Sequence, residues 1–293
     1  MLIALLACVS PPPFSSPPVE YQGVTELVLV HLVEDRERLY VELPDLDHSL
    51  WFVDTGYSST TCDTQWVASQ GYGLRPVLAW SRGEHGAVRL QKAVLPPFTL
   101  GGHRIERLSC AVRDLQATSS ITDERVAGVL GTNLLRRFTV VLDMEEGVLR
   151  LHDPEELRVE AGDRLRLEFG TGRPRVRLEL DEQALWPLLD TGATGTYLHA
   201  EKLGLDFRAE RQSTWSASGM DPHREQTLRY YTATRPRLAG CPGPDELWVV
   251  DRPRRWDDGL VGMNLLENYT LTLDYRRRRV LAEPAQPAEL PVL

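Results

Sequence analysis

Residues 38–43, Arg-Leu-Tyr-Val-Glu-Leu, set apolar side chains among polar ones in the period-2 manner of a half-buried strand. Residues 175–180, Arg-Val-Arg-Leu-Glu-Leu, do the same 137 positions later. Each stretch is followed by a polar turn and then by a denser apolar run, at residues 50–53 and 185–189. Both dense runs read as buried strands, and both stop at Asp-Thr-Gly: Asp54-Thr55-Gly56 and Asp190-Thr191-Gly192. The correspondence continues in one order. Trp80-Ser81 recurs as Trp215-Ser216, and Phe-Thr-Leu-Gly-Gly at 98–102 is weakly echoed by Pro-Arg-Leu-Ala-Gly at 236–240. GVLGTNLLRRFTVVLD at 128–143 aligns without a gap to GLVGMNLLENYTLTLD at 259–274. Offsets of 131 to 138 residues, kept in one order, predict duplication of a whole domain rather than chance likeness of one motif.

The elements predicted are many short strands between turns, hence a mostly β protein. Short helices are expected after each Gly-x-x-Gly, through 133–137 and 264–268, and near 200–203. The polar, turn-rich stretch 154–163 marks a boundary, giving an N-terminal lobe at 23–157 and a C-terminal lobe at 158–293. Asp143 and Asp274, recurring at strand ends, read as turn formers. The run Arg276 to Arg279 reads as a solvated hairpin turn.

Composition adds limits. The 293 residues, 42% hydrophobic and 26% charged, can fill two ordinary cores. A net charge of −9 speaks against a nucleic-acid partner, which needs a basic face. No stretch approaches the roughly 20 apolar residues of a membrane helix. Residues 1–8 form a short apolar start whose end, Leu5-Leu6-Ala7-Cys8, resembles a bacterial lipobox. That predicts an exported protein, periplasmic or membrane-anchored through a lipidated Cys8, with a cytoplasmic location if the start is not a working signal. Residues 9–22, rich in Pro and Ser, would then be an extended tether outside the fold. Cys8, Cys62, Cys110 and Cys241 have no metal-type spacing. With Cys8 lipidated at most one disulfide can form, and buried free thiols are the default reading. The seven His are scattered, so neither a metal nor a cofactor is expected.

One Asp-Thr-Gly after a strand is an ordinary turn. Two, in register, can be brought together by a pseudo-twofold axis, as in a symmetric dimer. Two touching carboxylates share one proton. The ionised partner can take a proton from water while the other donates to a carbonyl, which is general acid–base catalysis without a covalent intermediate. Such a pair titrates as a unit, so neither Asp is given a fixed role from sequence.

On these residues the chain resembles the aspartic proteases, over about residues 30–285. Each half looks like a retropepsin-type subunit: apolar-apolar-Asp-Thr-Gly, a glycine-bearing flap segment, then Val129-Leu130-Gly131 or Leu260-Val261-Gly262 leading into a short helix. The resemblance implies two homologous acid-protease β-barrel lobes with one active site in the cleft between them. It implies Asp54 and Asp190 as the catalytic pair, Thr55 and Thr191 as an interlobe hydroxyl–backbone grip, and Gly56 and Gly192 as shapers of the loops. The partner implied is a peptide or protein substrate, taken by a monomer. Flap candidates are Trp80, Ser81 and Gly83 in 80–86, and Trp215, Ser216 and Gly219 in 215–220; surface hairpins anchored by Trp are the plainer reading. Tyr57 departs from the family, which carries a small residue there; its ring can close a subsite or pack into the core. It also motivates the rival expectation, a peptide-binding or structural lipoprotein that keeps the fold without turnover.

Overall fold

The structure, a computed structural model, describes residues 14–32, 35–83, 86–115, 126–180, 183–199, 208–213, 226–251 and 258–285. Cys8 and the lipobox, the expected helix near 200–203, and the flap candidates Trp215, Ser216 and Gly219 lie outside them. The described chain is mostly β, with three short α-helices among the described residues: Thr64–Ser69, Thr132–Leu135 and Met263–Leu266. The last two follow the two Gly-x-x-Gly turns, each starting one residue earlier than the pattern suggested. The first was not anticipated. Its signal is Asp63, whose carboxylate accepts from the Gln65 and Trp66 amides at 3.0 and 2.9 Å. A cap of this kind contributes about 1 kcal/mol.

Two eight-stranded sheets share one order of connection. The first runs Val30–Leu32, Asp35–Leu43, Ser49–Val53, Val126–Leu130, Thr61–Asp63, Ser109–Arg113, Gly86–Val94, Arg75–Gly83. The second runs Arg166–Leu167, Pro174–Arg175, Leu188–Leu189, Leu260–Val261, Thr196–Leu198, Glu246–Asp251, Gln226–Thr234, Arg208–Ser213. In each, a strand from late in the half inserts beside the one that ends in Asp-Thr-Gly. Val126–Leu130 lies parallel to Ser49–Val53 and antiparallel to Thr61–Asp63. Leu260–Val261 stands in the same relation to Leu188–Leu189 and Thr196–Leu198. Gly128 permits the insertion, because a β-carbon there would overlap the buried Trp51 ring and the Thr61 carbonyl. Gly259 does the same against the Tyr197 carbonyl, at φ +93°.

A third sheet draws strands from both halves: Asp163–Arg164, Arg279–Pro284, Tyr269–Asp274, Thr139–Asp143, Val148–His152 and Leu27–Val28. At its middle Thr139 faces Asp274, Val141 faces Thr272 and Asp143 faces Thr270. The 131-residue offset of the sequence exchanges the first and last of these pairs. One continuous core, including Trp51, Phe138, Leu189, Leu265 and Tyr269, runs through both halves. Burying each of these side chains stabilises by roughly 1.5–3 kcal/mol.

Asp143 and Asp274 close their strands as turn residues, accepting from the Glu146 amide at 3.0 Å and the Arg277 amide at 2.8 Å. Arg276 to Arg279 sit at the turn between Tyr269–Asp274 and Arg279–Pro284, where Arg276 and Arg277 pair with Glu155.

Two expectations are corrected. The stretch 9–22 is not a tether where it is described. Phe14 is 2% exposed and packs on Val77, Leu90 and Ala111. Val19–Glu20 pairs with Arg104 and Ile105, and the Tyr21 hydroxyl donates to the Arg137 carbonyl at 2.6 Å. An aromatic ring, even in a Pro/Ser-rich stretch, gains more from apolar burial than it loses in chain entropy. The default of free buried thiols fails for Cys62 and Cys110, which form a disulfide. They lie on strands that both flank the core, in positions that only the fold brings together. Cys241 is free and half-buried.

Candidate active site

The site begins where Ser49–Val53 and Leu188–Leu189 end. The Asp54 amide donates to the Leu130 carbonyl at 3.1 Å, and the Asp190 amide to the Val261 carbonyl at 3.0 Å. Each sheet thus holds its aspartate at a ladder position. The chain then turns tightly: the Tyr57 amide returns to the Asp54 carbonyl at 3.3 Å, and the Ala193 amide to the Asp190 carbonyl at 3.2 Å. The two short helices buttress these turns. Thr132 donates through its amide to the Tyr57 carbonyl, and Met263 to the Ala193 carbonyl, both at 2.8 Å. Asn133 Oδ1 accepts from the Thr60 amide and hydroxyl, and Asn264 Oδ1 from the Thr196 hydroxyl at 2.9 Å. Asn133, buried, and Asn264, half-buried, are supports that the sequence reading did not single out; their signal is the Asn shared by the two Gly-x-x-Gly-x-Asn stretches. The buttresses also differ at their first residue. The Thr132 hydroxyl also donates to the Thr55 carbonyl at 3.0 Å, a bond Met263 cannot make.

The two turns meet. Thr55 Oγ1 donates to the Leu189 carbonyl and Thr191 Oγ1 to the Val53 carbonyl, both at 2.8 Å. Each hydroxyl also accepts from the other threonine's amide at 3.1 Å. Both threonines are fully buried. The glycines complete the fit, since a β-carbon on Gly56 would fall inside the Asp190 carboxyl group and one on Gly192 inside that of Asp54.

Asp54 is 7% exposed, and the Asp190 side chain is within hydrogen-bond reach of it. Burial first, then the Asp190 charge, pushes the Asp54 carboxyl well above the usual carboxylate range; the Gly56 and Tyr57 amides oppose this without prevailing. Asp54 Oδ1 is buried with no hydrogen-bond partner in the protein. Asp190 is half-buried and accepts from the Gly192 amide at 3.0 Å. The arrangement can hold one proton between two carboxyl groups and present an unsatisfied acceptor to a ligand.

Tyr57 is half-buried and packs on a separate apolar cluster of Tyr40, Leu50, Phe52, Leu115, Val126 and Val129. Its ring leans on the sheet while its backbone serves the turn. Trp80, Ser81 and Gly83 lie on the hairpin Arg75–Gly83/Gly86–Val94, where Trp80 faces Arg89 and Gly83 faces Gly86 in the ladder. No metal-type group of three or more His, Cys, Asp or Glu occurs among the described residues.

A second cluster, absent from the sequence reading, stands beside the first turn. Glu168 accepts from the Thr171 hydroxyl and Arg173 Nε, both at 2.6 Å, and from Arg175 Nη2 at 3.0 Å. Burial alone would raise the Glu168 carboxyl; Thr171 and the two guanidinium groups outweigh it and hold the pKa below its ordinary value. Arg173 Nη1 crosses to the other half of the chain and donates to the Gly56 carbonyl at 3.3 Å.

Residues 46–134, which include Asp54-Thr55-Gly56 and the Gly-x-x-Gly turn, match the family model for aspartyl proteases. No curated protein matches the chain in sequence. Among solved structures, basic 7S globulin from soybean is similar at 14% identity and TM-score 0.43, over 89% of this chain and 95% of that one. A retropepsin-like aspartic protease from Rickettsia conorii is similar at 18% identity and TM-score 0.33, over 46% of this chain and 93% of that one. By the match over residues 46–134, that part of the chain is similar to the aspartyl proteases.

Proposed function

We propose that the chain is an aspartic-type endopeptidase whose two halves form one active site about a pseudo-twofold axis. The observation that carries this is the Asp54 carboxyl, buried, raised, and in hydrogen-bond reach of Asp190. The exchanged threonine bonds and the central pairing of Thr139–Asp143 with Tyr269–Asp274 support the axis, since the sequence offsets map each set of bonds onto itself. They also support a single chain as sufficient, with lobes 23–157 and 158–293.

The shared proton rests on Asp54 in the free enzyme, where burial opposes its ionisation, and Asp190 carries the charge. Water between them gives a proton to Asp190 as its oxygen attacks the peptide carbonyl carbon. Asp54 gives its proton to the carbonyl oxygen, leaving a neutral gem-diol. Collapse breaks the C–N bond: a diol proton returns to Asp54, and the Asp190 proton passes to the leaving amine. One proton is again shared and no group has been acylated. An extended peptide would lie between the halves, partly held by backbone hydrogen bonds in the manner of an added strand. The hairpin Arg75–Gly83/Gly86–Val94 would serve as the flap over it. The Cys62–Cys110 disulfide supports export to an oxidising compartment.

The test is digestion of a peptide library from about pH 3 to 7, with products mapped by mass spectrometry. Cleavage within the window in which the pair holds one proton supports the reading. Intact peptides throughout would sink it and favour a non-catalytic peptide-binding module.

A further inference from the structure

The Glu168 cluster does more than brace its own hairpin. Residues 168–173 form a tight turn in which the Glu168 amide donates to the Arg173 carbonyl and the Gly172 amide to the Glu168 carbonyl, both at 2.9 Å. Gly170 and Gly172 have φ of +80° and +73°. The turn fits closely against the other half of the chain, where a β-carbon on Gly172 would lie 2.9 Å from Arg136 Nη1. Glu168 grips Arg173 through Nε and Nη2, at 2.6 and 2.5 Å, which fixes the plane of the guanidinium. Its third nitrogen is thereby aimed at the Gly56 carbonyl.

That carbonyl belongs to the peptide joining Gly56 to Tyr57. No cis peptide occurs among the described residues, so its C=O and N–H point in opposite directions. The N–H is that of Tyr57, and it is directed back at Asp54. On one end this rigid peptide plane meets a cationic donor; on the other its N–H bonds the Asp54 main-chain carbonyl at 3.3 Å and also lowers the pKa of the Asp54 carboxyl.

We propose that Arg173 is a positioning residue for the first catalytic turn: held by Glu168, it fixes and polarises the Gly56–Tyr57 peptide so that the Tyr57 amide faces Asp54. This rests on the peptidase reading only for its consequence in catalysis. Arg173 thus acts on the ionisation of Asp54 without touching it. A hydrogen bond to the ionised form favours that form. Of the charged groups, Asp190 faces Asp54 directly, while Glu168, Arg175 and Arg136 surround the hairpin that carries Arg173. Loss of the Arg173 contact weakens the Tyr57 amide's opposition to burial and the Asp190 charge, with the Gly56 amide still in place, and makes Asp54 harder to ionise.

The experiment is a pH titration of the Asp54 carboxyl by carbon-13 NMR in the intact chain, assigned by its disappearance in Asp54→Asn. In Arg173→Gln the midpoint moves up by roughly half a unit to one unit. In Arg173→Lys, whose single ammonium cannot hold Glu168 through two nitrogens and reach Gly56 as well, it moves up by less. If Arg173→Gln does not fold, the lysine variant decides. A midpoint equal to wild type in a folded variant overturns the proposal, as does a downward shift. A merely structural strut would lower the melting temperature and leave the midpoint in place. In parallel, the basic limb of the cleavage profile moves up with the midpoint. If no peptide is cleaved, the peptidase reading falls while the titration still decides the role of Arg173.

Discussion

Thr55 and Thr191 each hold the strand that delivers the other's aspartate. Thr55 donates to the carbonyl just before Asp190, and Thr191 to the carbonyl just before Asp54. Neither bond can form within one half of the chain, so the position of each carboxyl group is set by the opposite half. Replacing Thr55 with Val keeps the shape but removes a buried donor and acceptor together, leaving the Leu189 carbonyl and the Thr191 amide unsatisfied. The expected loss is about 2–4 kcal/mol of unfolding free energy. Thr191→Val should cost a similar amount, and the double variant less than the sum, because the four bonds form one network. Urea unfolding of the three proteins measures this. Additive losses would mean that the network is not shared.

The glycines of the two turns make a sharper steric case. Gly56→Ala and Gly192→Ala each put a methyl group where the opposing carboxyl group lies. Activity should fall by at least 100-fold, since a displacement on the order of 1 Å at a reacting group has that effect. Gly73→Ala is the control. A β-carbon there meets nothing within 4 Å, so neither activity nor melting temperature should drop. Initial rates and thermal melts of the three variants distinguish a local clash from general disruption.

Asp54 also makes folding depend on pH in a direction opposite to that of an ion-paired carboxylate. Its folded pKa lies above the unfolded value, so between the two the native state binds the extra proton. Stability contributed by protonated Asp54 is present at low pH and is lost as pH rises from about 4 through the folded pKa. Asp54→Asn removes the titrating group. Its melting temperature should therefore gain on wild type as pH rises through this window. Parallel curves for the two proteins would contradict the raised pKa.

Much of this was legible in the chain. The alternation at residues 38–43, the apolar run before Asp54 and the in-register copies at 175–180 and Asp190 placed the central strands. They did so because period, burial and turn chemistry agreed at those positions. The disulfide was not legible, because Cys62 and Cys110 are 48 residues apart and become neighbours only through strand pairing that no local pattern encodes. Phe14 was misread for a related reason. Its Pro/Ser surroundings indicate an extended chain correctly, but not whether an apolar face lies under it. The Glu168–Arg173 link was invisible in sequence, since a Glu and an Arg five residues apart are ordinary surface residues until a turn folds them onto the other half.

The Cys62–Cys110 bond closes a 48-residue separation that spans the capped helix and the hairpin Arg75–Gly83/Gly86–Val94. Chain entropy alone predicts about 4 kcal/mol of stabilisation for a loop of this length. Reduction, or the Cys62→Ala/Cys110→Ala pair, should lower the melting temperature measurably. Wild type and the double variant should melt together under reducing conditions. An unchanged melt on reduction would mean that the bond does not constrain the fold.

The measurement that bears most directly on the proton-sharing pair is the rate of peptide hydrolysis by Asp54→Asn and Asp190→Asn beside wild type, on one substrate found by library digestion. Either substitution removes an acid–base partner while keeping size and shape, and the account predicts a fall of at least 100-fold for each. The double variant should be no worse than the slower single one, because the two carboxyl groups act as a unit. Hydrolysis by either single variant at the wild-type rate would contradict the account.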